Sequence, residues 1–576
     1  MSALRTSVLA ALAAALFPLF AAAQSSGPRL LIPLPGTEAP KTPGSGEATT
    51  PRAATDGDGA EAGTTGGIRV ETLSRIGASA TGLLTEAEGG LPATLWRGSD
   101  PAVIGALFAR LPDTWSSRAA RRLARRLLLS AGPPPGNPAA DTDLLAARLR
   151  RLVAMGDADA VVQLAEAAAA VSSGDAAIAR PYVEALLLKN QVEQACGLVA
   201  AQVRQGGTDF WQRASVFCDL QAGRRTEADL TRAILADTGR TDPGFAELAD
   251  SLADGTPAKL ADAGDLTPLT VTMFALAGNA TLTDPGTPAP PVAAVLATIP
   301  RLKTIHRVAF GEQAAAAGTM PPAPVILAYG EKDADLSASV LRAPVSAAAQ
   351  AATNTARAEA MLAAWNAGTG AGQQSLVAGM CRGLLDRTPA ATELAFLGGP
   401  ALRMQILNGD TEGARGWLDL LRRRAAAGDG PSALAQTAAI PLAVVSGLDP
   451  VNERRLAIWR DATRDEANGD ARWLRLLLLL DALGMPAADS AWAELLPHDD
   501  LAGAGTGAVL WRQLVMSAGG NRTGETVLAV LAMVGRQGPG GLDPVTLSTV
   551  VGALRRVGLA EDARQIAAEA LIAAGE

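Results

Sequence analysis

Five arginines follow one another at helical spacing in residues 116–130. They stand at i, i+3, i+4, i+7 and i+8, so a helix places them on one face. These arginines are Arg118, Arg121, Arg122, Arg125 and Arg126. Guanidinium groups bind carboxylates and phosphates through paired N–H donors. Two interpretations fit the pattern: a site for an anionic partner or membrane surface, or a solvated face whose charges are balanced by acidic residues elsewhere.

Tryptophans form a second set of candidate binding residues, concentrated in the last third of the chain. They are Trp417, Trp459, Trp473, Trp492 and Trp511. An indole supplies a large apolar area and a single N–H donor, which suits both a binding groove and a protein core. Because these tryptophans lie in predicted helices, the sequence does not distinguish a binding groove from a protein core.

Residues suited to catalysis or metal binding are sparse. The two histidines, His306 and His498, form no H-E-x-x-H pair, and the chain has no Cys/His cluster at zinc spacing and no G-x-S-x-G. Residues 519–526 have the glycine spacing of a phosphate-binding loop, but Glu525 occupies the lysine position. We therefore predict a turn between two helices there, and a surface loop at residues 498–500. The sequence predicts no catalytic residue, no metal and no cofactor.

Composition favours helices as the elements that position these side chains. Of the 576 residues, 48% are hydrophobic but only 3% are aromatic, so the apolar mass is mostly Ala and Leu, which are good helix formers. The formal net charge of −8 argues against nucleic acid as a partner. We expect an all-α fold.

Regularly spaced turns divide the chain into helical hairpins. The first three turns, at Gly156, Asn190 and Gly223, follow one another at nearly equal intervals. Later helix-ending glycines are Gly409, Gly447, Gly484, Gly519 and Gly558, whose intervals are similar but slightly longer. At each turn we expect the Gly or Asn in the left-handed conformation that ends a helix. A period of about 34 residues is typical of stacked helical hairpins.

The turns resemble the inter-helix turn of tetratricopeptide repeats. Gly409 is followed by Glu412 and Ala414, and Gly558 is followed by the corresponding Glu and Ala. The acidic residue favours the start of the next helix, and the small Ala permits close helix contact. The resemblance implies an α-solenoid of stacked antiparallel hairpins, whose concave surface holds a protein or peptide segment.

The N-terminus predicts export. Arg5, the apolar residues 8–20 and the small residues 21–23 have the pattern of a cleavable signal peptide, so we expect a periplasmic or secreted protein without a transmembrane segment in the mature chain. The predicted organisation is a signal peptide at 1–23, a disordered Pro/Gly-rich linker at 24–67, an N-terminal helical segment at 68–136, a first repeat array at 137–240, an irregular helical region at 241–399 and a second repeat array at 400–576. Within the irregular region we expect one long Ala-rich helix over residues 346–367.

Two of the three cysteines are placed for a disulfide. Cys196 lies six residues after the turn at Asn190, and Cys218 lies five residues before the turn at Gly223. On neighbouring antiparallel helices these offsets differ by about 1.5 Å in height. An exported compartment permits the bond; the alternative is two buried thiols. Cys381 is the odd cysteine, and we expect it to be buried.

These observations favour a non-catalytic scaffold that binds an envelope protein or peptide. The alternative is an envelope enzyme that acts on cell-wall glycan through a pair of carboxylates. Two convergent acids with raised pKa values would indicate the enzyme. A groove with Trp and Arg anchors would indicate the scaffold.

Overall fold

A computed structural model describes residues 80–133, 138–172, 175–205, 208–240, 242–331, 339–496 and 507–576. The described residues belong to one compact unit. They contain 27 α-helices and one two-stranded sheet, which confirms the all-α fold. No helix in this part of the chain combines the length and apolar character needed to cross a membrane. The predicted signal peptide, the linker at 24–67 and the predicted loop at 498–500 lie outside the described residues.

The described residues up to position 350 form fourteen helices. They are α1 Pro101–Arg110, α2 Arg118–Leu129, α3 Pro138–Ala154, α4 Ala158–Ser172, α5 Ala176–Leu188, α6 Val192–Val203, α7 Asp209–Gln221, α8 Arg225–Asp237, α9 Pro243–Asp254, α10 Pro268–Leu276, α11 Pro290–Ala297, α12 Thr304–Ala317, α13 Ala323–Tyr329 and α14 Arg342–Gln350. Many of them pack against the next helix in sequence, as α6 does on α7 and α11 on α12. Local pairing of this kind is what the closely spaced turns predict.

The described residues from position 354 onward add thirteen helices. They are α15 Asn354–Gly370, α16 Gln374–Leu385, α17 Gly398–Asn408, α18 Thr411–Ala426, α19 Gly430–Ala438, α20 Ile440–Val445, α21 Glu453–Thr463, α22 Gly469–Ala482, α23 Asp489–Ala493, α24 Ala508–Gly519, α25 Thr523–Val534, α26 Pro544–Arg556 and α27 Ala560–Ala573. The prediction of one Ala-rich helix over residues 346–367 is wrong, because α14 ends at Gln350 and α15 starts at Asn354. The Thr353 hydroxyl accepts a hydrogen bond from the Ala356 N–H at 3.2 Å, so a side-chain cap starts a new helix there.

A short parallel sheet lies in the region predicted to be irregular hairpins. Strand β1, Lys259–Asp262, pairs with β2, Thr281–Asp284, and α10 lies between them in sequence. Each strand has only four residues. Such strands are too short to show the alternating pattern by which a strand is recognised in a sequence.

The predicted turn residues adopt the left-handed conformation, with one exception. The φ angles are 73° at Gly156, 58° at Asn190, 74° at Gly223, 76° at Gly409, 72° at Gly447, 77° at Gly484 and 85° at Gly558. These positions are confirmed. Gly519 ends α24, as predicted for a helix-ending glycine, but it is not the left-handed residue; Asn521 takes that conformation with φ 52°. Asn tolerates this conformation because its short polar side chain bonds locally.

The last helices of the chain pack against the first. Helix α1 contacts α25, and α2 contacts both α25 and α27. The Trp115 indole N–H donates to the Leu531 carbonyl at 3.1 Å, and the Gly524 N–H donates to the Leu95 carbonyl at 2.8 Å. An added Cβ at Gly524 would lie 2.4 Å from the Trp96 ring, so only glycine permits this close approach. These contacts join residues from opposite ends of the described chain, and they place α2 inside the fold.

A disulfide joins Cys196 on α6 to Cys218 on α7, and the two Cα atoms are 5.4 Å apart. The two residues are separated by 22 positions, so the bond closes a short loop between adjacent helices. The third cysteine, Cys381 on α16, is a buried free thiol. Burial raises the pKa of that thiol to about 12.

Candidate functional site

Helix α2 starts at a buried hydrogen-bond network. The Ser117 hydroxyl accepts from the Ala120 N–H at 3.0 Å and so caps the helix. Glu569 on α27 accepts from the Ser117 hydroxyl at 2.5 Å and from the Ala119 N–H at 2.8 Å. Burial is the main cause that raises the pKa of Glu569, and these hydrogen bonds oppose it. The C-terminal part of the chain thereby fixes the start of α2.

The two sides of α2 differ completely in chemistry. Leu123, Leu127 and Leu128 are buried in the core, where α2 packs against α25 and α27. The five predicted arginines follow the opposite side. That side does not face open solvent throughout, because it meets the turns that follow α3, α12 and α17. For brevity, we call Arg118, Arg121, Arg122, Arg125 and Arg126 the arginine stripe.

Two members of the arginine stripe form ion pairs. Arg125 donates to Asp157, the first residue after the α3 turn, at 2.6 Å. Arg126 donates to both carboxylate oxygens of Asp562 on α27, the shorter bond being 2.6 Å, and to the Gly89 carbonyl at 2.8 Å. The charges of these two arginines are therefore balanced by acidic residues elsewhere in the chain, as the second interpretation predicted.

The other three members of the stripe donate to neutral acceptors. Arg118 donates to the Asn408 side-chain oxygen at 2.5 Å, Arg121 to the Ala316 carbonyl at 2.6 Å, and Arg122 to the Gln565 side-chain oxygen at 3.0 Å. None of the three forms an ion pair with a described carboxylate. A guanidinium carries five N–H donors, so one neutral contact, or two in the case of Arg121, which also donates to the Trp115 carbonyl, leaves most of its donors unused.

Glycine turns hold two of these guanidinium groups. A Cβ added at Gly318, just after α12, would lie 2.7 Å from Cζ of Arg121. A Cβ added at Gly409, just after α17, would lie 2.7 Å from an Nη atom of Arg122. The C-terminal end of a helix carries partial negative charge, which favours a cation at this place. Two glycine turns therefore position arginines of α2, and one of them, at Gly409, is among the regularly spaced turns of the sequence.

The stripe lines a pocket of about 400 Å³, which we call the arginine pocket. Its lining includes Arg118, Arg121, Arg122 and Arg125 of α2, together with Arg382 of α16. Arg382 is exposed and forms no ion pair with a described residue. Arg118 and Arg121 also line an adjoining space of about 320 Å³ that reaches residues 319–322.

Burial and neighbouring positive charge both lower the pKa values of the half-buried Arg118 and Arg121. Burial, together with the charges of Arg118 and Arg122, lowers the pKa of Arg121 to about 10, and the charge of Glu569 opposes this. Burial is also the main cause that lowers the pKa of Arg118, with Arg122 and Arg382 contributing. Both groups remain protonated at neutral pH. The pocket therefore holds cations that repel one another.

Three of the five candidate tryptophans are core residues, so they are not available to line a binding groove. Trp417, Trp459 and Trp473 are each at most 4% exposed. Trp459 and Trp473 pack with ring centroids 6.1 Å apart, which uses their large area inside the fold. Trp492 is half-buried, and Trp511 is 41% exposed. Trp511 is thus the candidate that faces solvent.

Trp511 belongs to an apolar face of α24 that points outward. The exposed positions of α24 recur at helical spacing, and all but one are apolar or glycine. They are Ala508, Val509, Trp511, Arg512, Val515, Met516 and Gly519. On the neighbouring α26, Thr549 accepts a hydrogen bond from the Trp511 indole at 3.3 Å, and Val545, one turn earlier, is also exposed. We call this surface the α24 face.

The buried side of α24 combines core residues, Leu514 and Ala518, with polar residues that contact a buried carboxylate. Glu525 at the start of α25 is fully buried and accepts hydrogen bonds from the Ser517 hydroxyl at 2.9 Å and the Gln513 amide at 3.2 Å, both on α24. Its other oxygen accepts from the Asp100 N–H at 2.9 Å. Residues 519–526 are thus a turn between helices, as predicted, and Glu525 has a structural role. The sequence analysis missed the α24 face; the signal was the run of apolar residues opposite Gln513 and Ser517.

The described carboxylates with raised pKa values lie apart. Glu569 lines a central pocket of about 410 Å³, whereas Glu184 on α5 lines a different one of about 590 Å³. Burial raises the pKa of Glu184, and its partner Arg180, 3.0 Å away, opposes this. The two acids therefore do not form the convergent pair that glycan hydrolysis requires. Within the described ranges, no group of three or more His, Cys, Asp or Glu residues is placed to hold a metal ion.

Comparison of the chain with protein-family models, with curated proteins and with solved structures found no match.

Proposed function

We propose that this chain is an exported helical-repeat scaffold, a solenoid of tetratricopeptide-like hairpins, that binds an envelope protein through the α24 face. The observation that carries the proposal is the exposed side of α24, which is apolar apart from Arg512 although the helix already buries Leu514 and Ala518 on its inner side. An exposed apolar patch bordered by polar residues is typical of a protein–protein interaction site.

The partner is a segment whose chemistry complements this face. Helix α24 has 12 residues, so the face is about 18 Å long, which matches three turns of a partner helix. Arg512 is the charged residue on the face, and it forms no ion pair with a described residue. An amphipathic helix that carries apolar side chains and at least one carboxylate opposite Arg512 satisfies both features.

The expected energetic centre is Trp511. Tryptophan and arginine are the residues most enriched among those that dominate binding energy, and here they are adjacent. Met516, 50% exposed, lies between one and two turns further along α24. Its flexible side chain adapts to the shape of a partner.

The test compares two variants of the mature protein in affinity capture from the envelope fraction of the producing cell. W511E/M516E places two charges in the α24 face. The control, L434E, alters Leu434, which is 75% exposed on α19 and far from α24 in sequence. We expect the unaltered protein and L434E to retain the same partner. We expect W511E/M516E to retain at least tenfold less of it, because two buried charges would oppose the contact.

Equal retention by all three proteins would contradict the proposal. Sedimentation of the purified protein provides the second readout. A dimer that W511E/M516E dissociates would show that the face pairs two copies of this chain, which also contradicts a partner of a different sequence.

A further inference from the structure

The arginine pocket has a charge that its own residues do not balance. Five guanidinium groups line it, and among the described residues its lining contains one carboxylate, Asp157, which already pairs with Arg125. Glu569 does not line the pocket; its charge acts on Arg118, Arg121 and Arg122, while its oxygens accept from Ser117 and Ala119. It is one carboxylate against four guanidinium groups. Four cations, Arg118, Arg121, Arg122 and Arg382, therefore converge on one space in a chain whose overall charge is negative.

A structural role explains only part of this arrangement. Arg118, Arg121 and Arg122 each contact a turn or side chain of another helix, which fixes their positions. Arg382 is different, because it is exposed and forms no ion pair with a described residue. No described ion pair therefore explains its positive charge. Its guanidinium adds to the repulsion felt by Arg118. Arg382 thus adds a fourth positive charge to the pocket lining without an ion-pair partner among the described residues.

We propose that the arginine pocket binds a phosphate group carried by a small molecule. Phosphate presents several oxygens to guanidinium groups from different directions, and each Arg–phosphate contact can use two parallel N–H donors. A carboxylate presents only two oxygens and suits one or two arginines. The volume of about 400 Å³ fits a small phosphorylated molecule and excludes a folded domain.

The pocket is prepared for such a ligand before binding. The left-handed turns at Gly318 and Gly409 and the side chain of Asn408 hold three guanidinium groups in place. Side chains that are already ordered lose little conformational entropy on binding, which favours affinity. The arginine pocket shares no residue with the α24 face, so this proposal does not depend on the proposed partner.

Isothermal titration calorimetry of the mature protein tests the proposal with inorganic phosphate and with glycerol 3-phosphate. The critical variant is R382Q, because Arg382 is exposed and its loss should leave the thermal midpoint unchanged. The control is R454Q, which removes the same charge from an exposed position on α21 outside the pocket. We expect R382Q to raise the Kd for glycerol 3-phosphate about tenfold, as for the loss of one charge-assisted contact. We expect R454Q to change it less than twofold.

Three results would overturn the proposal. One is no heat of binding with either ligand, even at millimolar concentration. Another is equal weakening by R382Q and R454Q, which would indicate a general effect of net charge. The third is tight binding of a hexaglutamate peptide with no binding of glycerol 3-phosphate, which would indicate an acidic protein segment as the ligand.

The source of the phosphate group is distinguished in a second arm. Vesicles that contain phosphatidylglycerol are sedimented with the protein and compared with vesicles of phosphatidylcholine. Sedimentation with phosphatidylglycerol that R382Q reduces about tenfold supports the proposal with a lipid head group as the source. Binding of glycerol 3-phosphate without sedimentation supports it with a soluble molecule as the source.

Discussion

Helices α2 and α24 differ in how their apolar residues are placed: those of α2 lie in the core, whereas many of those of α24 face solvent. The arginine stripe of α2 faces the interior turns of other helices, and two of its members form ion pairs there. An apolar side of α24 faces solvent, and its inner side, with Leu514 and Ala518, contacts the buried Glu525 through Ser517. In α2 the apolar side is the buried one, as its periodicity suggests. In α24 both sides carry apolar residues, so periodicity does not show which side is buried.

Contacts between residues distant in sequence determine which side of each helix is buried. The Trp115 side chain and the N-terminus of α2 are held by α25 and α27, which lie near the other end of the chain. This contact encloses α2 and leaves α24 on the outside. Four sets of substitutions measure how much the contacts of each helix contribute to stability and to partner binding.

The largest effect is expected for Glu525, which holds the inner side of α24. E525A removes the acceptor of the Ser517 hydroxyl and of the Asp100 N–H, one of two acceptors of the Gln513 amide, and the carboxylate that lies 3.2 Å from Arg522. We expect a loss of about 3 kcal/mol in the free energy of unfolding. Urea denaturation measures it, with E412A at an exposed position on α18 as the control, expected to change stability by less than about 0.5 kcal/mol. Equal losses would show that α24 is not held by this network.

The next effect concerns the turn that supports Arg121. Gly318 and Gly223 both have φ 74°, but only the Gly318 Cβ position lies close to another side chain, that of Arg121. We expect G223A to destabilise by about 1 kcal/mol through backbone strain alone. We expect G318A to cost about 2 kcal/mol, because Arg121 must also move. Equal costs in urea denaturation would mean that the Arg121 position is not fixed by this turn.

A smaller effect separates the paired arginines from the unpaired ones. R126Q breaks the contacts with Asp562 and Gly89 between α2, α27 and the N-terminal segment, and we expect a loss of about 1.5 kcal/mol. R382Q should change stability by less than about 0.5 kcal/mol. The same ordering is expected in thermal unfolding. A larger loss for R382Q than for R126Q would show that Arg382 serves the fold, and it would remove the argument for a ligand.

The smallest effect on stability is expected on the α24 face. W511E/M516E alters exposed side chains, so we expect a change in unfolding free energy of less than about 0.5 kcal/mol, together with loss of the partner. Far-ultraviolet circular dichroism checks that helicity is retained. A loss as large as the one expected for E525A would mean that these side chains belong to the core of the protein rather than to a binding surface.

Local features of the fold were predictable because they depend on neighbouring residues. The left-handed turns at Gly156 and Gly409 follow from glycine after an apolar helical run. The levels of Cys196 and Cys218 follow from their distances to the turns at Asn190 and Gly223, and the structure joins the two by a disulfide. The spacing of the arginine stripe predicted its single helical face.

The environment of each face was not predictable, because it depends on residues distant in sequence. Arg122 meets Gly409, and Arg126 meets Asp562; nothing near α2 indicates either contact. Trp473 and Trp511 occupy similar helical patterns, yet one is buried and the other exposed. The difference arises from which helices pack on α22 and α24, and a single sequence contains no direct record of that packing.

Site-specific photo-crosslinking tests the central claim, that α24 presents its apolar side to a partner, most directly. A photoreactive phenylalanine analogue replaces Val515 on the α24 face, or Leu434 on α19 as the matched exposed control, and the producing cells are irradiated. We predict one crosslinked partner at position 515, absent at position 434, whose crosslinked segment is amphipathic and carries a carboxylate. The same crosslinks at both positions, no crosslink at 515, or a crosslink only to a second copy of this chain would contradict the account.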